Sequence, residues 1–137
     1  GRIHRILAPV MDKVSFPGWI AREALPGAYC AADLFVTPSH SDGSSVSLLE
    51  ALACGRPVLA SDIPSNREWV TPGQVGQLFQ DGSPVSLANS LLKMVASADL
   101  AQYGTAARRL AEKRADWEVN FQELLKAYHL AVEGSFS

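Results

Sequence analysis

Pro38-Ser39-His40-Ser41-Asp42-Gly43-Ser44-Ser45-Val46-Ser47-Leu48-Leu49-Glu50-Ala51-Leu52-Ala53-Cys54-Gly55-Arg56-Pro57-Val58 is the stretch that decides the fold. Asp42 and Glu50 stand eight residues apart, with small residues between them and a helical apolar pattern around Glu50. A small-residue turn running into a helix start presents backbone N–H groups to an anion. Carboxylates flanking that turn accept hydrogen bonds from hydroxyls. A ligand carrying both phosphates and hydroxyls suits such a site, and a nucleotide sugar is one.

Outward from this run, short apolar segments alternate with helical patterns. Val14 to Phe16 reads as a strand ended by Pro17-Gly18, and Ala21 to Ala32 as a helix whose start Pro26-Gly27 must shape. Leu34 to Thr37 is a strand stopped by Pro38. Val46 to Cys54 is a helix with Gly55 where a left-handed C-terminal glycine belongs. Pro57 to Ser61 and Gly76 to Phe79 are further strands. Ser83 then caps a helix opened by Pro84, with Leu87, Ala88, Leu91, Leu92 and Val95 at helical spacing. Helices over Ala98 to Lys113 and Trp117 to Val132 follow. The last carries a stripe of Leu124, Leu125, Tyr128 and Val132, and Gly134 to Ser137 read as a frayed tail.

Strands alternating with helices predict an α/β fold with a Rossmann-like parallel sheet. Strands that are apolar throughout predict a sheet covered on both faces. Ligands then bind beyond the carboxyl ends of the strands, where the turn from Ser39 to Ser47 lies.

Composition bounds the rest. The 137 residues make one domain or less, with 47% hydrophobic residues for a core and 19% charged. A net charge of −2 argues against nucleic acid as the main partner. No apolar run approaches the ~18–20 residues of a membrane span, and no signal-peptide pattern is visible. Cys30 and Cys54 sit in alanine-rich stretches and read as buried, packed thiols rather than a disulfide, with a reducing cytosol as the default. Two cysteines and three scattered histidines give no metal-ligand spacing. The chain opens on Gly1 rather than Met, which reads as a fragment, a processed product or a trimmed chain.

Most other polar residues have a plain reading. His40 is a solvent-facing loop histidine, and His4 and His129 fall in helical patterns. Arg108, Arg109, Lys113 and Arg114 form a solvated helix face, and Trp69 and Trp117 pack. The serines around Ser44 lack a G-x-S-x-G elbow, so a hydrolase triad does not fit. On pattern alone Asp42 and Glu50 remain open between hydroxyl ligands and ordinary helix-start acids. Gly43, Ser44 and Ser45 remain open between an anion-facing turn and a simple serine cap.

The segment from Val14 to Phe79 resembles the C-terminal domain of retaining GT-B glycosyltransferases of the group 1 family. That family's core reads P-S-x-x-E-G-F-G-x-x-x-L-E-A-M-A-C-G-x-P-V-x-A-S-D. Pro38-Ser39, Gly43, Leu49-Glu50-Ala51, Ala53-Cys54-Gly55, Pro57-Val58 and Ala60-Ser61-Asp62 match it in register. Glu68 falls where the family carries a glutamate, Val14 to Gly18 resembles its V-x-F-x-G strand, and Trp117 with Tyr128 resembles its last helix.

The resemblance implies residue roles. Glu50 matches the second glutamate of the Glu-x7-Glu motif and would bind ribose hydroxyls. Asp42 stands at the first glutamate and would face the donor sugar as the catalytic residue. Backbone N–H groups of Gly43, Ser44 and Ser45 would meet sugar hydroxyls, and those of Val46 and Ser47 the diphosphate. Gly18 and Trp19 would border the nucleobase. A nucleotide diphosphate sugar is then the donor, with no cofactor or metal, and the acceptor is a glycan, lipid or small molecule. The expected localisation is cytoplasmic, with peripheral association at the inner membrane face as a habit of the family.

The chain departs from the pattern at Asp42, one methylene shorter than glutamate, and at Ser44-Ser45 in place of Phe-Gly. The Arg and Lys that hold the diphosphate in the family have no match here. The expectation is therefore a partial domain over residues 1–137, N-terminally truncated, with a nucleotide-sugar-binding core at 13–80 and C-terminal helices at 83–133. An N-terminal domain and two strands between the Val14 and Leu34 strands would be missing. Such a chain exposes strand edges and, assayed alone, transfers nothing. The alternatives are a non-enzymatic nucleotide-sugar-binding or scaffolding module of the same fold, and a different α/β enzyme such as a GT-B epimerase or a phosphorylase-like protein.

Overall fold

The structure, a computed structural model, describes residues 2–134. In chain order it contains α1 (Arg2–Leu7), α2 (Leu25–Ala31), β1 (Phe35–Thr37), α3 (Val46–Ala53), β2 (Val58–Ser61), α4 (Pro64–Arg67), β3 (Gly76–Phe79), α5 (Pro84–Val95), α6 (Leu100–Arg114) and α7 (Trp117–Gly134). Short 3-10 stretches, Ala8–Lys13 and Arg22–Ala24, follow α1 and precede α2. The tail expected at Ser135 to Ser137 lies outside the described residues, as does the side chain of His4.

The sheet has the order β1-β2-β3 and is parallel throughout, with Val36 opposite Leu59 and Leu59 opposite Gln77. The parallel α/β fold expected from the alternation is therefore present. The central strand divides its side chains by the two-residue period of a pleat. Val58 and Ala60 join Leu48 and Leu52 of α3 and Ala107 and Ala111 of α6 on one face. Leu59 joins Phe79 and Met94 of α5 on the other. Every residue of β2 is buried, whereas Val36 on the edge strand β1 is 38% exposed. Cover on both faces thus holds for the middle strand and only in part at the edges.

Local signals place the helix ends. Ser83 Oγ accepts from the Ser86 N–H at 3.2 Å, and Pro84 opens α5 with a fixed φ and no donor to lose. Gly55 takes φ +66° after α3, where Gly55 N–H reaches Leu52 O and Arg56 N–H reaches Ala51 O, both at 2.9 Å. That pair of bonds closes a Schellman turn, which satisfies the last carbonyls of the helix and sends the chain into β2.

Three expectations are corrected. Val14 to Phe16 is not a strand: the sheet of the described residues consists of β1, β2 and β3, and this segment, outside it, stays loop. Cys30 is exposed rather than buried, on a helix that buries none of its residues, and Cys54 is half-buried. The stripe on α7 does not reach the core: Leu124, Tyr128 and Val132 are 44%, 62% and 60% exposed. The helical pattern around His4 holds over Arg2–Leu7, and the chain continues as a 3-10 stretch over Ala8–Lys13 with a kink at Val10, where φ is −133°.

Candidate functional site

The loop from Pro38 to Ser45 leaves the carboxyl end of β1 and delivers the chain to α3. Its base is fastened by hydroxyls, of which those of Thr37 and Ser61 are buried. Thr37 Oγ1 and Ser39 Oγ are 3.2 Å apart, and Ser61 Oγ, at the end of β2, donates to Ser39 O. Asn66, 1% exposed, donates through Nδ2 to Ser61 O at 2.9 Å and to Ser61 Oγ at 3.2 Å. Buried polar groups are tolerated when they satisfy one another, and this chain of bonds ties the loop after β1 to the loop after β2. A third loop joins at the surface, where His40 Nδ1 lies 2.7 Å from Asp81 Oδ1 in the turn after β3. All three loops at the carboxyl ends of the sheet are thereby linked.

Ser45 occupies the N-cap position of α3 and is buried, yet its side chain caps nothing. Ser45 Oγ lies 3.2 Å from Ser47 Oγ instead. No acidic residue occupies the first turn of α3. The Val46 and Ser47 N–H groups therefore start a helix whose positive dipole end no side chain neutralises. Gly43 and Ser44 are exposed before it, and a Cβ added at Gly43 would meet nothing within 4 Å.

The two acids differ in setting. Asp42 is exposed in the loop and, among the described residues, has no hydrogen-bond or ion-pair partner. Glu50 is half-buried one turn into α3, where Tyr29 of α2 donates its phenol O–H to Glu50 Oε2 at 3.0 Å. Burial, then the bond to Glu50 and its negative charge, push the Tyr29 phenol up to about 12. Tyr29 is braced by an edge-on contact with Phe35, ring centres 5.9 Å apart. One Glu50 oxygen is thus fixed and the other is left available. Glu50 borders a cavity of about 230 Å³ with Arg22, Leu25, Pro26, Tyr29, Ala53 and Cys54.

Gly18 has φ +71°, Trp19 is 87% exposed, and neither lines either of the two cavities that Glu50 borders. A broader groove of about 900 Å³ lies at the opposite, amino end of the strands beside Asp33, Arg56, Pro57 and Arg108, and holds none of the expected site residues.

Tyr29, Asn66 and the His40–Asp81 pair were missed by sequence reasoning. Tyr29 and Glu50 are 21 residues apart on separate helices, so no local spacing announces them. Asp62, matched by motif only, forms a two-pronged pair with Arg67 at 2.6 and 3.0 Å, and that guanidinium holds its carboxyl below the usual range. Among the described residues no group of three or more His, Cys, Asp or Glu could hold a metal ion, and no helix is long and apolar enough to cross a membrane.

A family profile described as "Glycosyl transferases group 1" matches residues 2–97. The phosphatidyl-myo-inositol mannosyltransferase of Mycobacterium leprae is 30% identical over 92% of this chain and 34% of its own length. The D-inositol 3-phosphate glycosyltransferase of Rhodococcus erythropolis is 36% identical over 90% of this chain and 28% of its own. Among solved structures, sucrose-phosphate synthase from Thermosynechococcus elongatus superimposes with a TM-score of 0.89 at 27% identity, over 97% of this chain and 34% of that one. Anabaena HepE, crystallised with UDP, shares the fold with a TM-score of 0.87 at 24% identity, over 93% of this chain and 36% of that one. The chain spans about a third of the length of these proteins.

Proposed function

The chain belongs to the glycosyl transferases group 1 family, with the α/β architecture of GT-B enzymes, and we propose that it supplies the donor-binding half of such an enzyme. The reaction moves a sugar from a nucleotide diphosphate to an acceptor hydroxyl with retention at the anomeric carbon. The observation that carries this reading is the uncapped start of α3 at the carboxyl edge of the sheet, with Glu50 one turn inside and steadied by Tyr29.

In this reading the free oxygen of Glu50 accepts from the ribose hydroxyls. Val46 and Ser47 N–H groups bind the diphosphate, and those of Gly43, Ser44 and Ser45 meet hydroxyls of the sugar. Asp42 faces that sugar, and Gly18 and Trp19 border the base. As the anomeric C–O bond breaks, its electron pair passes to the diphosphate. The helix start stabilises the charge without a metal, because its dipoles are already oriented. The acceptor oxygen forms the new bond and loses its proton. Residues 38–50 contain no Lys or Arg, so any cation on the diphosphate comes from elsewhere in the enzyme. Residues 1–137 then act as part of one domain, completed by an acceptor-binding partner domain, in a cytoplasmic enzyme that reaches acceptors at the membrane face.

Asp42 in place of glutamate favours a second reading, a module that binds a nucleotide sugar without transferring it. Calorimetry with UDP and GDP tests the common core. The chain should bind one of them, and Glu50→Ala should weaken that binding by about tenfold, the worth of a charge-assisted hydrogen bond. Unchanged binding in Glu50→Ala would remove the ribose role. Turnover of a nucleotide sugar by this chain alone would remove the division into halves.

A further inference from the structure

Residues 40–44, with Asp42 at their centre, are held at few points. Before them Ser61 Oγ donates to Ser39 O, and after them Ser45 is buried at the start of α3. Between these ends every residue is exposed. Among the described residues this segment makes one hydrogen bond, between His40 Nδ1 and Asp81 Oδ1 at 2.7 Å. Asp81 is itself firmly placed. It follows β3 in a turn closed by the Ser83 N–H on Gln80 O at 3.1 Å, and the Gln80 N–H donates to Ser86 Oγ at 3.0 Å. Loop and turn share a cavity of about 320 Å³, lined by Pro38 and His40 from one and by Gly82, Ser83 and Pro84 from the other. That space leaves the loop room to shift once the bond is broken.

We propose that His40 and Asp81 are positioning residues: their bond latches the segment that carries Asp42 to the turn after β3, and so sets the sugar end of the donor site. The inference rests on the reading that Asp42 faces the donor sugar. Ser41, Gly43 and Ser44 are small and make no bond of their own among the described residues, so the segment has wide backbone freedom. A ligand that must order it binds more weakly. A bond already made in the free protein removes part of that loss, which is preorganisation. The pair lies at the surface, with 75% of the His40 side chain and 36% of the Asp81 side chain exposed, so its contribution is modest, about threefold in affinity. The latch acts before Asp42 rather than at the start of α3. It therefore serves the sugar and leaves the contacts to diphosphate and ribose as they are.

The test compares the full chain with His40→Ala, His40→Asn, Asp81→Ala and the double variant His40→Ala/Asp81→Ala. Asparagine returns an N–H donor close to the place of Nδ1. In ¹⁵N relaxation without ligand, the Gly43 and Ser44 amides should lose order in both alanine variants, to order parameters below about 0.6, and regain it in His40→Asn. Calorimetry then sets UDP-glucose beside UDP and GDP-mannose beside GDP. Each alanine variant should bind the nucleotide sugar about threefold more weakly and the bare nucleotide as before. The double variant should lose no more than either single one, because all three remove the same bond. Melting temperatures should move by less than about 2 °C. Unchanged order at Gly43 and Ser44 in His40→Ala would overturn the latch and leave the donor reading standing. Additive losses, equal weakening of nucleotide and nucleotide sugar, or no recovery in His40→Asn would overturn it too. Order lost in His40→Ala while the parent chain binds no nucleotide would instead overturn the donor reading, and the proposal with it.

Discussion

The phenol of Tyr29 donates to Glu50 Oε2 at 3.0 Å, joining α2 to α3 across 21 residues of sequence. Glu50 is matched by a motif, but its orientation comes from a helix outside that motif. In Tyr29→Phe the ring and its contact with Phe35 remain while the donor is lost. We expect nucleotide binding to weaken by about 3- to 10-fold, the worth of one hydrogen bond. Calorimetry beside Glu50→Ala checks this. If Tyr29→Phe binds as well as the parent, the phenol does not position the carboxylate.

The same contact predicts a titration. The Tyr29 phenol is held up at about 12, above its usual value of 10. Its proton is favoured by folding, so the associated stability is fully present below pH 10 and is lost as pH climbs through the folded value. Ultraviolet titration should show one tyrosine ionising later than the others, and Glu50→Gln should bring it earlier. A uniform titration of all three tyrosines would contradict the burial of this bond.

Asp42 should be neutral for stability and decisive for the ligand. It is exposed and has no partner among the described residues, so Asp42→Asn and Asp42→Glu should each change stability by less than about 0.5 kcal/mol. Asp42→Asn should leave binding of the bare nucleoside diphosphate intact and weaken that of the nucleotide sugar. Equal losses for both ligands would place Asp42 away from the sugar.

Two glycines set the packing distances of the core. A Cβ on Gly76 would sit 1.8 Å from Val58 O in the neighbouring strand, and one on Gly104 would sit 2.6 Å from Gly55 O. Alanine at Gly104 gains about 1 kcal/mol of helix propensity but must push α6 off the turn before β2. We expect a net loss of about 1–2 kcal/mol for Gly104→Ala. For Gly76→Ala the loss should exceed about 3 kcal/mol, because backbone meets backbone and no side chain can give way. Urea denaturation ranks the two, and the reverse order would mean that the strand pair relaxes more easily than the helix contact.

Much of the fold was legible because its signals are local. Gly55 after an apolar helix and Ser83-Pro84 before another each report on a few neighbouring residues. The path of the chain at the carboxyl end of the sheet was legible for the same reason, since the run from Pro38 to Val58 holds strand exit, turn and helix together. The reading failed where a segment depends on what lies beside it. Val14 to Phe16 has strand-like composition and no neighbouring strand, and the stripe of α7 has helical period and no facing surface among the described residues. Cys30 sits in alanine-rich sequence yet lies at a helix edge.

The sequence by itself determined the parallel α/β frame, the turn between Asp42 and Glu50, and the family to which that turn belongs. Periodicity, capping residues and a long motif in register are properties of adjacent positions, and each is readable without a third dimension. Only the tertiary structure decided which groups meet across the chain. It set Tyr29 on Glu50 and threaded Thr37, Ser39, Ser61 and Asn66 into one bond network. These contacts come from helices and loops packed by burial of Leu48, Leu52, Leu59 and Met94, a force that is non-directional and has no short-range signature in the sequence.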